Sequence, residues 1–112
     1  MEVNNELIYN RWFLGEKDPA NYVPYSKEKS PNFTDYCNPS NVYIPLAEFI
    51  RLGLFREYIL FQQGNSLELS HVRPKIVRVN AQGTPLVPVV TGESLSAMLW
   101  AAILVKLEEQ NA

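Results

Sequence analysis

From Lys75 onward the chain spells strand, turn, strand, glycine junction and helix in immediate succession, and nowhere else in it are a strand pair, a glycine junction and a helix start legible together. Lys75-Ile76-Val77-Arg78-Val79 has the β-branched content of a strand, and Asn80-Ala81-Gln82-Gly83 is a turn. Leu86-Val87-Pro88-Val89-Val90 then enters Thr91-Gly92-Glu93-Ser94-Leu95 and an apolar helix. Thr91 suits the N-cap, and Glu93 falls in the positively polarised first turn. Leu95, Met98, Leu99, Ala102 and Ile103 share one helical face, while Trp100, Leu104 and Val105 make the other sides apolar too. A helix apolar all round belongs at the centre of a fold or is covered on both sides. Core is the expectation for most of it, with the outermost face, including Trp100, available to an interface.

Upstream, Pro45 fits a first helical turn, Ser40 or Asn41 can cap the approach, and Leu46, Phe49 and Ile50 recur at helical spacing. Gly53 falls where a left-handed C-terminal cap would, with Leu54 as its apolar follower. Residues 55–62 read as a strand, Gln63-Gly64-Asn65 as a turn, and Ser66 to Val72 as a second, alternating strand. Pro74 marks an edge or a bulge. These signals predict an α+β fold. It has a small, mainly antiparallel sheet of three to four strands, a short helix near 45–53 and a long C-terminal helix near 92–109.

The first 44 residues have a different texture. Pro19, Pro24, Pro31 and Pro39 leave little room for regular elements, and Trp12, Phe13, Tyr22, Tyr25, Phe33, Tyr36 and Tyr43 are too aromatic for a disordered tail. Leu7 to Leu14 fits a short strand or a helical turn. The expectation is an irregular segment that wraps an α+β core at 45–112 and inserts its rings into grooves, all within one domain. The alternative use of those rings is to dock a partner, for which the candidates are Trp12, Tyr22, Tyr25, Tyr36 and Trp100.

Composition removes several function classes. No apolar run reaches the roughly 18–20 residues of a membrane span, and the N-terminus lacks the basic flank and apolar stretch of a signal peptide, so a cytoplasmic location is expected. Cys37 and His71 are each the only residue of their type, which leaves no disulfide and no clustered zinc ligands. No metal and no cofactor are expected. A net charge of −2 argues against strong non-specific nucleic-acid binding. The imbalance lies in residues 1–55, with seven acids and five bases, while residues 56–112 carry five of each.

Catalysis needs positioned, titratable pairs. His71 stands beside Arg73 and Lys75, which discourage its protonation, and Cys37 would act as a nucleophile only with His71 brought to it by the fold. Gly64, Gly83 and Gly92 are isolated rather than gathered into a phosphate-binding loop. No enzyme activity is expected. The one cluster with functional promise is His71, Arg73, Lys75 and Arg78. The first three alternate onto one face of an extended strand, where they could meet phosphates or an acidic partner. The plainer reading is a solvated sheet face.

Residues 65–107, NSLELSHVRPKIVRVNAQGTPLVPVVTGESLSAMLWAAILVKL, resemble the N-terminal part of the backbone subunits of CRISPR effector complexes, members of the RAMP superfamily. The shared motif is Val-Pro-aliphatic-aliphatic-(Ser/Thr)-Gly-x-x-Leu before the first helix, matched by Val87 to Leu95. The resemblance implies a ferredoxin-like, RNA-recognition fold, with guide RNA and a neighbouring subunit at the junction and His71, Arg73 and Lys75 as backbone contacts. Residues 1–55 show no match, and members of that family are usually much longer. Two functions are therefore expected in competition. One is a non-catalytic subunit or accessory protein of an RNA-guided ribonucleoprotein complex, touching RNA or a neighbouring subunit. The other is a small acidic protein-interaction module, such as an inhibitor, an immunity-like protein or an accessory subunit, with no nucleic-acid role.

Overall fold

Asn4 opens the first helix. Its side chain accepts the Leu7 N–H at 2.8 Å, the N-cap bond that satisfies one of the orphan donors of a helix start. Helix α1, Asn5–Ile8, passes without a break into a π-helical turn, Tyr9–Phe13, closed by the Leu14 N–H on the Tyr9 carbonyl at 2.9 Å. Gly15 then takes φ 71°, a left-handed conformation that ends the helix at little steric cost to glycine. The computed structural model describes residues 3–26, 33–63, 73–82, 84, 90–91 and 94–110.

Asp18 caps a 3-10 turn at Pro19–Asn21 by accepting the Ala20 N–H at 3.0 Å. Helix α2 spans Tyr43–Arg51, with Pro45 inside its first turn. Gly53 sits at φ 71°, as its sequence position predicts, and its N–H donates to the Ile50 carbonyl at 3.0 Å. Leu54 follows, fully buried beside Phe49 in the core. Helix α3 spans Leu95–Gln110. It starts later than the expected residue 92, and its cap is Ser94 rather than Thr91: the Ser94 Oγ accepts the Ala97 N–H at 3.1 Å.

Three segments pair through their backbones, β1 Tyr58–Gln63, β2 Arg73–Arg78 and β3 Val90–Thr91, antiparallel in the order β1-β2-β3. Asn80 organises the turn after β2, accepting the N–H groups of Gln82 and Thr84 at 3.0 and 2.9 Å. The elements expected at residues 64–72 and 85–89, together with Gly83, Gly92 and Glu93, lie outside the described residues.

The α+β expectation is overturned by where the core lies. Among the described residues the core is helix packed on helix. Ile8 comes from α1, Phe49 from α2, and Met98, Leu99, Trp100, Ala102, Ile103 and Leu104 from α3, with Tyr36 and Leu54 from the connections. Tyr58, at the start of the strand Tyr58–Gln63, joins them. The class that the described residues define is therefore helical. The physical reason is at the N-terminus. The segment expected to be irregular up to residue 44 instead supplies α1, the π turn and the 3-10 turn, because asparagine and aspartate side chains start its turns and glycine ends one. Helix α3 does occupy the centre, as its apolar circumference requires. Each of its fully buried large side chains contributes about 1.5–3 kcal/mol by leaving water.

Candidate functional site

The rings that the sequence offers as a docking set are brought together, but mostly facing inward. Trp12 leaves the π turn and meets Trp100 of α3 edge-on at 5.0 Å between centroids. Tyr36 closes the triangle, at 5.9 Å from Trp12 and 5.7 Å from Trp100, both edge-on. Such edge-to-face pairs add roughly 0.5–1.5 kcal/mol each beyond burial. Trp100 has no solvent exposure, and its indole N–H donates to the Tyr36 carbonyl at 3.0 Å. Ser96, one turn earlier on α3, donates to the Asn41 carbonyl at 3.2 Å, so α3 grips both ends of the 36–41 connection. The expectation that Trp100 lies on an outermost face is therefore corrected.

Tyr25 extends the cluster into a row. Phe13 stacks on Tyr9 at 5.3 Å, Tyr9 on Tyr25 at 4.3 Å, and Tyr25 on Phe33 at 5.4 Å. The Tyr25 hydroxyl donates to the Thr34 carbonyl and accepts the Thr34 N–H at 2.7 Å. Tyr22 is half-buried, its hydroxyl accepting from Arg11 Nε. Of the five candidates, Tyr36 and Trp100 are core, while Trp12, Tyr22 and Tyr25 keep an exposed edge.

Beneath this cluster Asn10, fully buried, does what a strand neighbour would do. Its Nδ2 donates to the carbonyls of Glu6 and Val23 at 2.8 and 3.0 Å, and its Oδ1 accepts the Val23 N–H at 2.9 Å. The loop from Gly15 to Val23 is thereby sewn onto the π turn. The result is a rigid mount with apolar residues on its outside. Phe13 is 61% exposed, Leu14 47% and Val23 43%. Sequence reading passed over these three, because a helix of ordinary pitch does not announce that a π turn will put Trp12 inward and its two followers outward.

The electrostatics of the cluster are those of a closed structure. Burial, followed by the neighbouring Tyr25, pushes the Tyr36 phenol from 10.0 up to about 12. Glu48 on α2 lies below the ordinary carboxylate value, chiefly because Arg51 hydrogen-bonds it, which outweighs its partial burial. Burial raises the Cys37 thiol, with Asp35 adding to the effect. A thiol so placed is a poor nucleophile.

The basic candidates fare differently. His71 lies outside the described residues. Arg73, Lys75 and Arg78 all fall in β2, the central strand of the ladder, but Arg78 has the opposite parity from the other two, so the three do not form one row. Among the described residues no group of three or more His, Cys, Asp or Glu is placed to hold a metal ion, and no helix is long and apolar enough to cross a membrane. A groove of about 290 Å³ is lined by Leu7, Arg11, Leu104 and Glu108, with no nucleophile among them.

These features define a small helical protein whose N-terminal segment is cemented to a central helix by aromatic rings. Compared with protein-family models, with curated proteins and with solved structures, the chain matches none.

Proposed function

We propose that this chain is a non-catalytic protein-interaction module that takes its partner on the Phe13, Leu14 and Val23 surface. The observation that carries the reading is a contrast within one short segment. Trp12 and Asn10 are anchored inward by hydrogen bonds and ring contacts, while three large apolar neighbours stay in water. Apolar side chains held outside on a rigid mount lose little conformational entropy on binding, which is what an interaction surface needs. π turns inside helices also recur at functional sites, since they re-aim side chains. The exposed edges of Trp12 and Tyr22 would border the patch.

The test is capture from the native host after nuclease treatment, comparing the parent with Phe13→Glu/Leu14→Glu. The reading predicts a stoichiometric protein partner that the parent retains and the variant loses. A parent that captures nothing, or a variant that captures the same protein equally well, would sink it.

A second reading, contact with RNA as a subunit or accessory protein of an RNA-guided complex, is supported by Arg73 and Lys75 sharing one parity on the central strand. It predicts salt-sensitive RNA binding that falls when Arg73, Lys75 and Arg78 are changed to Glu. Binding that is absent in the parent, or unchanged in the triple variant, excludes it.

A further inference from the structure

The groove of about 290 Å³ lies between the N-terminal helical segment and α3, and the function proposed above does not use it. Leu7 and Leu104 give it an apolar lining, and Arg11 and Glu108 give it one charge of each sign. Leu7 and Arg11 stand one turn apart along α1 and the π turn, and Leu104 and Glu108 one turn apart along α3. Among the described residues Arg11 and Glu108 make no ion pair with one another, although they share the groove. Opposite charges held apart over an apolar lining are complementary to a ligand with an ammonium at one end and a carboxylate at the other.

Surface charges are ordinarily just solvated, and what sets Arg11 apart is that it is held in place. Its Nε donates to the Tyr22 hydroxyl. Tyr22 precedes Val23, whose N–H and carbonyl are both hydrogen-bonded by the fully buried Asn10. The guanidinium is thus braced from the loop, and its Nη groups have no partner among the described residues. A braced arginine with N–H groups to spare takes a carboxylate at a reduced entropy cost. The exposed Glu108 carboxylate offers the acceptor that an ammonium needs. The volume is at the small end of the roughly 300–1,000 Å³ of small-molecule sites, which limits the occupant's size. We propose that the groove binds a free aliphatic dipeptide, with its carboxylate on Arg11, its ammonium on Glu108 and its side chains against Leu7 and Leu104. A longer peptide carries one of its two charged ends out of the groove, and a single amino acid covers only part of the apolar lining. The site is built on residues other than Phe13, Leu14 and Val23, so it stands or falls apart from the function proposed above.

Isothermal titration calorimetry of the purified chain with leucyl-leucine tests this, with residue-resolved amide shifts to locate the ligand. The parent is expected to bind it saturably in the high micromolar to millimolar range and to shift the amides around Leu7, Arg11, Leu104 and Glu108. N-acetyl-leucyl-leucine, which lacks the ammonium, is expected to bind roughly fivefold more weakly, and leucyl-leucinamide, which lacks the carboxylate, roughly tenfold more weakly. Glycylglycine keeps both charges without the side chains and is expected to bind more weakly than either. Glu108→Gln, an exposed change that leaves the fold alone, should erase the penalty of acetylation and keep that of amidation. Arg11→Met should do the reverse, and Tyr22→Phe should shrink the amidation penalty without altering the groove's lining. No saturable binding of leucyl-leucine by the parent overturns the inference. So do acetylated and amidated forms that bind as well as leucyl-leucine, glycylglycine that matches it, or an acetylation penalty that survives Glu108→Gln.

Discussion

Asn10 has no solvent exposure, and what offsets the cost of its burial is three hydrogen bonds to backbone, two of them to Val23. Truncating it removes three hydrogen bonds, each worth about 0.5–1.5 kcal/mol net, two of them holding Val23. Asn10→Ala is therefore expected to lower stability by roughly 2–4 kcal/mol in urea unfolding, with Asn4→Ala, which removes only a helix cap, nearer to about 1 kcal/mol. Nothing in the sequence separates Asn10 from Asn4 and Asn5, because its role depends on where the chain returns at Val23. Tyr36 makes a second residue-scale prediction. Its phenol titrates near 10.0 when unfolded and is held up to about 12 in the folded protein. The folded state thus keeps a proton that the unfolded state releases, so the stabilisation is complete below the unfolded value and is lost as pH rises through the folded one. Ultraviolet titration should show a phenol that ionises late, and unfolding midpoints should fall across that alkaline window. Tyr36→Phe should abolish the late ionisation.

At the scale of elements, the ends of helices were more legible than their faces. The Gly53 stop of α2 follows from glycine's freedom at positive φ and holds in the structure. The start of α3 was misplaced because Thr91, Glu93 and Ser94 all carry capping chemistry, and only the Ala97 hydrogen bond distinguishes Ser94. For α2, Leu46, Phe49 and Ile50 read as one face, yet only Phe49 is buried, since Glu48 takes the inward place that an apolar residue would normally hold. Glu48 is tolerated there because Arg51 donates to it through Nε and Nη2. Its carboxyl therefore sits below the ordinary range, and its contribution is present above the unfolded value and lost as pH falls through the folded one. Arg51→Met removes the largest cause of that depression. The variant should be less stable than the parent at neutral pH, and the two unfolding curves should converge in acid, where Glu48 is protonated in both. Curves that stay equally far apart at every pH would show that Arg51 acts through packing alone.

For the molecule as a whole, the apolar circumference of α3 correctly placed it at the centre, while the strand patterns after Phe55 gave no sign that the N-terminal segment and α2 pack helix on helix against it. Period-2 alternation and β-branched residues report local preference, and the backbone does pair at β1, β2 and β3. The partner that α3 takes was settled elsewhere, by the aromatic residues of a segment whose prolines suggested no regular structure. Of those prolines, Pro19 takes a position that a turn accepts, at the head of the 3-10 turn. The docking candidates were legible as a group of rings but not in their direction, since whether a ring faces core or solvent is a property of the assembled fold. The central claim is that residues 5–23 form a rigid mount, locked to α3, that holds Phe13, Leu14 and Val23 in water. Residue-resolved amide hydrogen exchange on the free chain tests it most directly. The account predicts strong protection of the Leu14 and Val23 amides, with Val23 alone losing it sharply in Asn10→Ala. Exchange of both amides at open-chain rates in the parent would contradict the account.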